Sequence, residues 1–238
     1  MDLIETQLDN PIEHWYYRHK YWAIRKQIVK RRIELSEILD IGAGSALFSL
    51  ELQKEFPGTR VLAIDPGYSD RQLEMSDSGV QYSRESPSNK ADLILLTDVL
   101  EHVPDDVEFL SNYVVNTIGN PTFIITVPAF MSLWSNHDVY LKHFRRYRRG
   151  HLGEVLSKSG LEVLEITYLY SLLFPVAYIK RKAFSGKTHQ SDLKKNNLII
   201  QRTLNEILIT DRFFSRFLPF GVSVLAVAIK REANVKES

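Results

Sequence analysis

Short apolar and β-branched runs alternate along the chain with segments whose apolar positions recur every three or four residues. The runs EILDI, VLAID, VQYS, ADLILLTDV and TFIITVP have the length and continuity of strands buried on both faces. Between them, Phe48, Leu52 and Phe56 fall on one helical face that stops at Pro57 and Gly58. Val107, Leu110 and Val114 fall on another that stops at Gly119, Asn120 and Pro121. HLGEVLSKSGLEVLEIT predicts a further helix, with Gly160 just past its end, and then a strand; GVSVLAVAIKR, from Gly221 to Arg231, reads as the last strand. This alternation predicts right-handed βαβ units, and so an α/β fold whose largely parallel sheet carries helices on both faces. Residues 1–238 contain no repeat or low-complexity linker, and the polar break from Phe184 to Leu193 does not divide them, so one domain is expected.

Composition narrows the function. Lys and Arg number 30 against 29 Asp and Glu, which leaves no overall positive field for nucleic acid; any basic surface must be local. The absence of cysteine removes disulfides, thiolate metal sites and Cys nucleophiles, and fits a reducing compartment. The acidic start MDLIETQLDNP lacks the basic and apolar regions of a signal peptide, so a cytoplasmic location is expected. The longest apolar stretch, Tyr168 to Ile179, contains Pro175 and falls short of the roughly 20 residues that span a bilayer.

The chemistry is concentrated after the first strand, in ILDIGAGSALFSL. A phosphate loop of the nucleoside triphosphatases would open its helix with Gly-Lys-Ser/Thr, whereas here the residues are Ser45, Ala46 and Leu47. A dinucleotide fingerprint would put its third glycine at position 47, which is leucine. Instead Asp40 closes the first strand and Asp65 the second. Two carboxylates at adjacent strand ends suit an amine-bearing ligand on one side and two ribose hydroxyls on the other.

LDIGAGSALF, VLAIDPG and ADLILLTDVLEHVPD, in this order, resemble the first, second and fourth strand motifs of the class I S-adenosylmethionine-dependent methyltransferases over roughly residues 36 to 130. The resemblance implies a Rossmann-like methyltransferase fold: a seven-stranded, mostly parallel sheet with an antiparallel last strand. It also implies S-adenosyl-L-methionine as cofactor. On it, Asp40, Gly42, Ala43 and Gly44 would cradle the methionine part, Asp65 would hold the ribose, and adenine would lie near Pro66 and Ser83 to Glu85. Asp98 completes that cofactor set. Ala46 replaces the family's third glycine.

Methyl transfer to a hydroxyl needs a base near the proton it releases. VPAFMSLWSNHDVYLKHFRRYRRGHL, beyond the fifth strand, offers His137 or His143 as that base, with Asp138 to orient an imidazole. Arg146 and Tyr147 are expected to contact the acceptor, Tyr147 closely enough to be counted with the catalytic group. The pattern W-S-x-H-D followed by H-x-R-R-Y resembles a subgroup linked to glycan, lipid and secondary-metabolite pathways. A second reading rests on DVLEHV: Asp98, Glu101 and His102 resemble the set with which some members of the family bind Mg²⁺, Mn²⁺ or Zn²⁺, and His137 or His143 could add a ligand.

Residues 1–35, with the aromatic run HWYYRHKYWAIRKQI, are expected to form a helical lid that brings Trp15 and Tyr16 to the substrate. Residues 168–220, bulky and apolar with Lys180, Arg181, Lys182, Arg212 and Arg216, are expected to be a helical insertion before the last strand; a peripheral membrane contact, a pocket roof for a lipid-like substrate, a homodimer interface and plain core packing are the readings of its composition. The sequence thus points to a biosynthetic methyltransferase acting on a hydroxyl or amine of a small molecule, such as a natural-product, glycan or lipid-linked intermediate. A metal-assisted O-methyltransferase and a non-catalytic cofactor-binding scaffold are the alternatives.

Overall fold

The structure, a computed structural model, describes residues 11–75, 79–86, 90–183 and 198–231. Residues 1–10 of the expected lid and the polar break from Phe184 to Leu193 lie outside them.

Seven strands form one sheet: β1 (Glu37–Ile41), β2 (Arg60–Ile64), β3 (Val80–Ser83), β4 (Leu93–Thr97), β5 (Thr122–Pro128), β6 (Leu161–Leu169) and β7 (Ser223–Lys230). Their spatial order is β3-β2-β1-β4-β5-β7-β6, with β7 antiparallel to both of its neighbours and the other pairs parallel. The order reverses between β1 and β4, and a crevice outside the carboxyl ends of those strands is where such sheets bind ligands. Strands such as LILLT and TFIITVP are buried on both faces because helices cover both.

On one side, Ile24 and Ile28 of α1 (Trp15–Arg31), Phe48 and Leu52 of α2 (Leu47–Glu55) and Leu208 pack on Ile38, Val61, Leu95 and Leu225. On the other, Leu110 and Val114 of α4 (Asp106–Asn116) and Leu152 and Leu156 of α6 (Arg149–Lys158) pack on Ile94, Phe123, Ile125 and Ala226. A five-residue helix, α3 (Asp70–Glu74), precedes β3, and another, α5 (Asn136–Tyr140), lies in the long loop after β5. Gly160, at φ +87°, follows α6 and turns the chain into β6.

The insertion is shorter at its start than the sequence predicts. Tyr168 and Leu169 still belong to β6, paired with Val224 and Ser223, because their side chains find partners in the sheet core. The helices that follow are α7 (Phe174–Ala183) and α8 (Leu198–Phe214). α8 packs on α1, so α1 is held between the sheet and a second helix. That accounts for a helix with buried residues as varied as Tyr17, His19, Lys20 and Gln27. No helix among the described residues is long and apolar enough to cross a membrane.

Candidate active site

The loop after β1 folds by alternating left-handed residues: Gly42 at φ +64°, Gly44 at +54° and Ala46 at +53°. A Cβ on Gly42 would come within 2.7 Å of Val99 Cγ2, so the side chain is excluded by packing as well as by φ. Ala46 pays the conformational cost of the third turn, and is fully buried at the start of α2. The loop is tied to β2: Ala43 N–H donates to Ile64 O at 2.9 Å, and Gly44 N–H donates to Asp65 Oδ2 at 2.9 Å. Asp65 Oδ1 accepts from Gly67 N–H at 2.8 Å, so its carboxylate spans the ends of two loops and keeps further lone pairs for hydroxyl donors.

Asp40 lies beneath the loop, 1% exposed. Ser49 Oγ donates to its Oδ2 at 2.6 Å, while Oδ1 is buried without a partner. Burial, only partly offset by the Ser49 hydrogen bond, pushes its carboxyl up to about 6. The buried Tyr68 hydroxyl likewise has no hydrogen-bond partner. Two orphaned polar groups beside a backbone cradle fit a polar, amine-bearing ligand. Pro66 and Glu85 are exposed at the ends of β2 and β3, and Asp65 N–H donates to Ser83 O at 3.0 Å.

A cavity of about 240 Å³ opens at the carboxyl ends of β4 and β5. One wall is aromatic, from Trp15, Tyr16, Tyr17 and Tyr170; Tyr16 stacks on Tyr170 with ring centroids 5.1 Å apart. Asp98, Glu101 and His102 come from the end of β4, and His137, His143 and Arg146 from the loop after β5. The structure therefore brings together Trp15, Tyr16, both candidate histidines and Arg146. It places Asp138 behind them: its carboxylate is fully buried, accepts from Arg146 Nε at 2.6 Å and lies 3.0 Å from His143 Nδ1. Burial alone would raise the Asp138 carboxyl, but the His143 hydrogen bond and the Arg146 charge hold it well below the usual carboxylate range. An ionised carboxylate only accepts, so Nδ1 of His143 is the nitrogen that carries the hydrogen of this bond.

Asp98 sits at φ +57° at the end of β4, with Oδ2 paired to Lys20 Nζ and Oδ1 accepting from Thr126 Oγ1 at 3.2 Å. Lys20 is fully buried and also donates to the Tyr16 hydroxyl at 3.0 Å. Although burial would raise the Asp98 carboxyl, the Lys20 charge holds it below its ordinary value. Glu101, 1% exposed, has both carboxyl oxygens without a partner; burial, reinforced by the Asp98 charge, pushes it well above the ordinary range. The expected set Asp98, Glu101 and His102 is accordingly rearranged. Lys20 takes Asp98, and among the described residues the ligand atoms that converge within 4.8 Å of one another are those of Glu101, His102 and His143.

A methyltransferase domain family matches residues 13–166, well over half of the chain. The chain belongs to this family and is a class I S-adenosylmethionine-dependent methyltransferase. No curated protein sequence matches it. Among solved structures, it is similar to an S-adenosylmethionine-dependent methyltransferase from Archaeoglobus fulgidus at 18% identity and TM-score 0.53, covering 88% of this chain and 94% of the other. It is also similar to the 1,6-didemethyltoxoflavin-N1-methyltransferase of Burkholderia thailandensis at 14% identity and TM-score 0.56, covering 90% and 77%. The [4+2]-cyclase SpnF shares the fold at 12% identity and TM-score 0.54, covering 89% and 81%. At such identities the likeness concerns the fold.

Tyr147 of the methyltransferase does not line the cavity. It is fully buried, and its hydroxyl donates to Asp106 Oδ2 at 2.6 Å with Leu100 O at 3.1 Å. Tyr147→Phe is expected to cost about 1.5 kcal/mol of stability in urea unfolding and to leave turnover unchanged; a hundredfold loss of turnover would put the hydroxyl in the reaction. Sequence reasoning missed Lys20, Tyr68 and Tyr170, whereas Lys180 and Arg181 belong to the basic, apolar segment that its composition marks as a pocket roof or membrane-surface patch. The two basic residues reach the cavity from α7, where Arg181 donates to Leu133 O and lies 3.7 Å from Asp138 Oδ2.

Proposed function

We propose that the enzyme methylates a hydroxyl or amine of a small acceptor bound in the cavity, beneath a lid formed by α1. The observation that carries this is the buried Asp138–His143 pair at the cavity wall, which orients the imidazole through Nδ1. S-adenosyl-L-methionine, when bound, supplies an electrophilic methyl whose sulfur departs as a neutral thioether. Asp40, the loop from Gly42 to Gly44 and Asp65 would hold it, with Pro66 and Glu85 near its base. Trp15, Tyr16 and Tyr170 exclude water, and Arg146 contacts the acceptor. As the acceptor oxygen or nitrogen forms its bond to the methyl carbon, His143 Nε2 takes its proton, and the ionised Asp138 stabilises the resulting imidazolium. His137 is the other base candidate on the same wall.

Titration calorimetry with S-adenosylmethionine and S-adenosylhomocysteine tests the cofactor assignment. Asp65→Ala is expected to weaken both by about tenfold or more, since charge-assisted hydrogen bonds are lost. Incubation of cell extract with methyl-labelled cofactor then tests turnover. His143→Ala is expected to lose label transfer by about a hundredfold while still binding S-adenosylhomocysteine. Unchanged transfer in both His143→Ala and His137→Ala would refute the base assignment, and failure of wild type to bind either compound would refute the cofactor site.

The convergence of Glu101, His102 and His143 favours metal-assisted transfer as a second reading. Two imidazoles and one carboxylate suit Zn²⁺ or Mn²⁺ better than Mg²⁺, which prefers oxygen. In that arrangement the ion would acidify the acceptor hydroxyl and His143 would be its ligand. Loss of label transfer on chelation, restored by Mn²⁺, distinguishes this from the metal-free route.

A further inference from the structure

We propose that the outer face of α7 and the end of α8 form a docking surface for an anionic lipid bilayer. The two faces of α7 differ. Leu173, Ala177, Lys180 and Arg181 line the acceptor cavity, whereas Val176 and Ile179 point outward, each 66% exposed. At the end of α8 and in the turn after it, Phe213 is 67% exposed and Phe217 71%. The two segments adjoin: Leu172 N–H donates to Asp211 Oδ1 at 2.8 Å, and Phe174 stacks on Phe220 with centroids 5.1 Å apart. Isolated exposed apolar side chains are ordinary, but this concentration on neighbouring segments marks an interaction surface.

Charge identifies the occupant. The last turn of α7 carries the exposed Lys180 and Lys182 and no acid, and the exposed Arg216 precedes Phe217; Arg181 turns inward to Leu133 O, and Arg212 lies over the Trp22 ring. The acid in their midst, Asp211, is fully buried, facing His19 at 3.5 Å and the Leu172 amide. The exposed Glu206 lies further back along α8. Basic heads set among apolar side chains match anionic headgroups above acyl chains. A second copy of this chain would instead bring like charge against like charge. Because α7 lies between this surface and the cavity, and resting on the methyl-transfer reading above, the acceptor is an amphiphile whose polar end reaches the cavity past Lys180 and Arg181 while its apolar part stays in the bilayer.

Co-sedimentation with vesicles of phosphatidylcholine alone, and of equal parts phosphatidylcholine and phosphatidylglycerol, tests the surface without knowledge of the acceptor. Binding is expected to the anionic vesicles, to weaken as salt screens the charges, and to fall about tenfold or more in Ile179→Asp/Phe217→Asp. All the substituted positions are exposed, and Lys182→Glu/Arg216→Glu is a second variant in which the apolar face is intact and the same loss is expected. Absence of binding, equal binding to both vesicle types, variants that bind like wild type, or self-association through this face by light scattering would each overturn the proposal. S-adenosylhomocysteine calorimetry on the same samples separates the readings: it reports the cofactor site whatever the vesicles show.

Discussion

Lys20→Met is expected to lower the unfolding free energy by about 3 kcal/mol, because removing one partner of a buried ion pair leaves the other charge uncompensated. Lys20 is fully buried, while the Asp98 side chain is 25% exposed toward the cavity, which sets the expectation at the lower end of the usual 3–5 kcal/mol range for such a loss. The ammonium holds the Asp98 carboxyl below its ordinary value, while burial, reinforced by the Asp98 charge, pushes the Glu101 carboxyl well above its own. Without Lys20, the Asp98 carboxylate loses the paired cation that offsets its burial, and its carboxyl is expected to move up. Lys20→Met/Asp98→Asn removes both charges and is expected to recover most of the loss. The sign with pH follows from the depressed carboxyl. Its contribution is present above the ordinary Asp value of 3.8 and is lost as pH falls toward the folded-state value, so the gap between wild type and Lys20→Met narrows in acid. Urea unfolding of wild type and the two variants at neutral and acid pH checks this. A loss below about 1 kcal/mol, or a double variant no more stable than the single, would show that the pair is not what holds α1 to β4.

The parts legible in the sequence are those in which chemistry and backbone coincide. The glycines, Asp40 and Asp65 follow one another along strand ends, and a loop that needs left-handed residues at alternate positions announces itself by composition. Lys20 could not be read this way. It occupies a helix dense in Lys and Arg, where a lysine ordinarily belongs to the solvated face, and only its tertiary pairing with Asp98 at the end of β4 and with the Tyr16 hydroxyl shows that this position is turned inward. Tyr147 fails for a different reason. Its backbone bridges to Ala129 in extended form, with Tyr147 N–H donating to Pro128 O and Phe130 N–H donating to Tyr147 O. In extended chain successive side chains point to opposite faces, so the same geometry that sends Arg146 into the cavity sends Tyr147 into the core. The candidate metal set changed for a similar cause. Asp98, Glu101 and His102 are neighbours in sequence, but Lys20 draws Asp98 aside, and a histidine from a different loop takes its place.

The loop after β5 owes its shape to Asp138, and Asp138→Asn is expected to be as severe as any substitution in the molecule. The carboxylate receives Arg146 Nε and His143 Nδ1 on one oxygen and the Ser135 amide at 2.8 Å on the other, with Arg181 nearby. Arg146 has only 3% of its side chain exposed, so a neutral partner leaves a guanidinium in the interior with no counter-charge, at a cost of about 3–5 kcal/mol. The pH dependence has a definite direction. The folded-state carboxyl is depressed below its ordinary value of 3.8, so the stabilisation it supplies is complete above that value and disappears as pH drops toward the lower folded-state value. Wild type is therefore expected to lose stability below about pH 4 more steeply than Asp138→Asn, and the two unfolding curves converge in acid. A second effect separates this role from simple support. Asparagine can offer its amide N–H to the imidazole, which allows Nδ1 to become the acceptor and moves the proton to Nε2, the nitrogen that the proposed transfer needs empty. Label transfer is thus expected to fall by about a hundredfold even where calorimetry shows S-adenosylhomocysteine bound as in wild type. If Asp138→Asn instead lost stability while transfer per folded molecule stayed constant, Asp138 would be a brace for the loop alone, and the base would have to be sought at His137 or at an ion held by Glu101, His102 and His143.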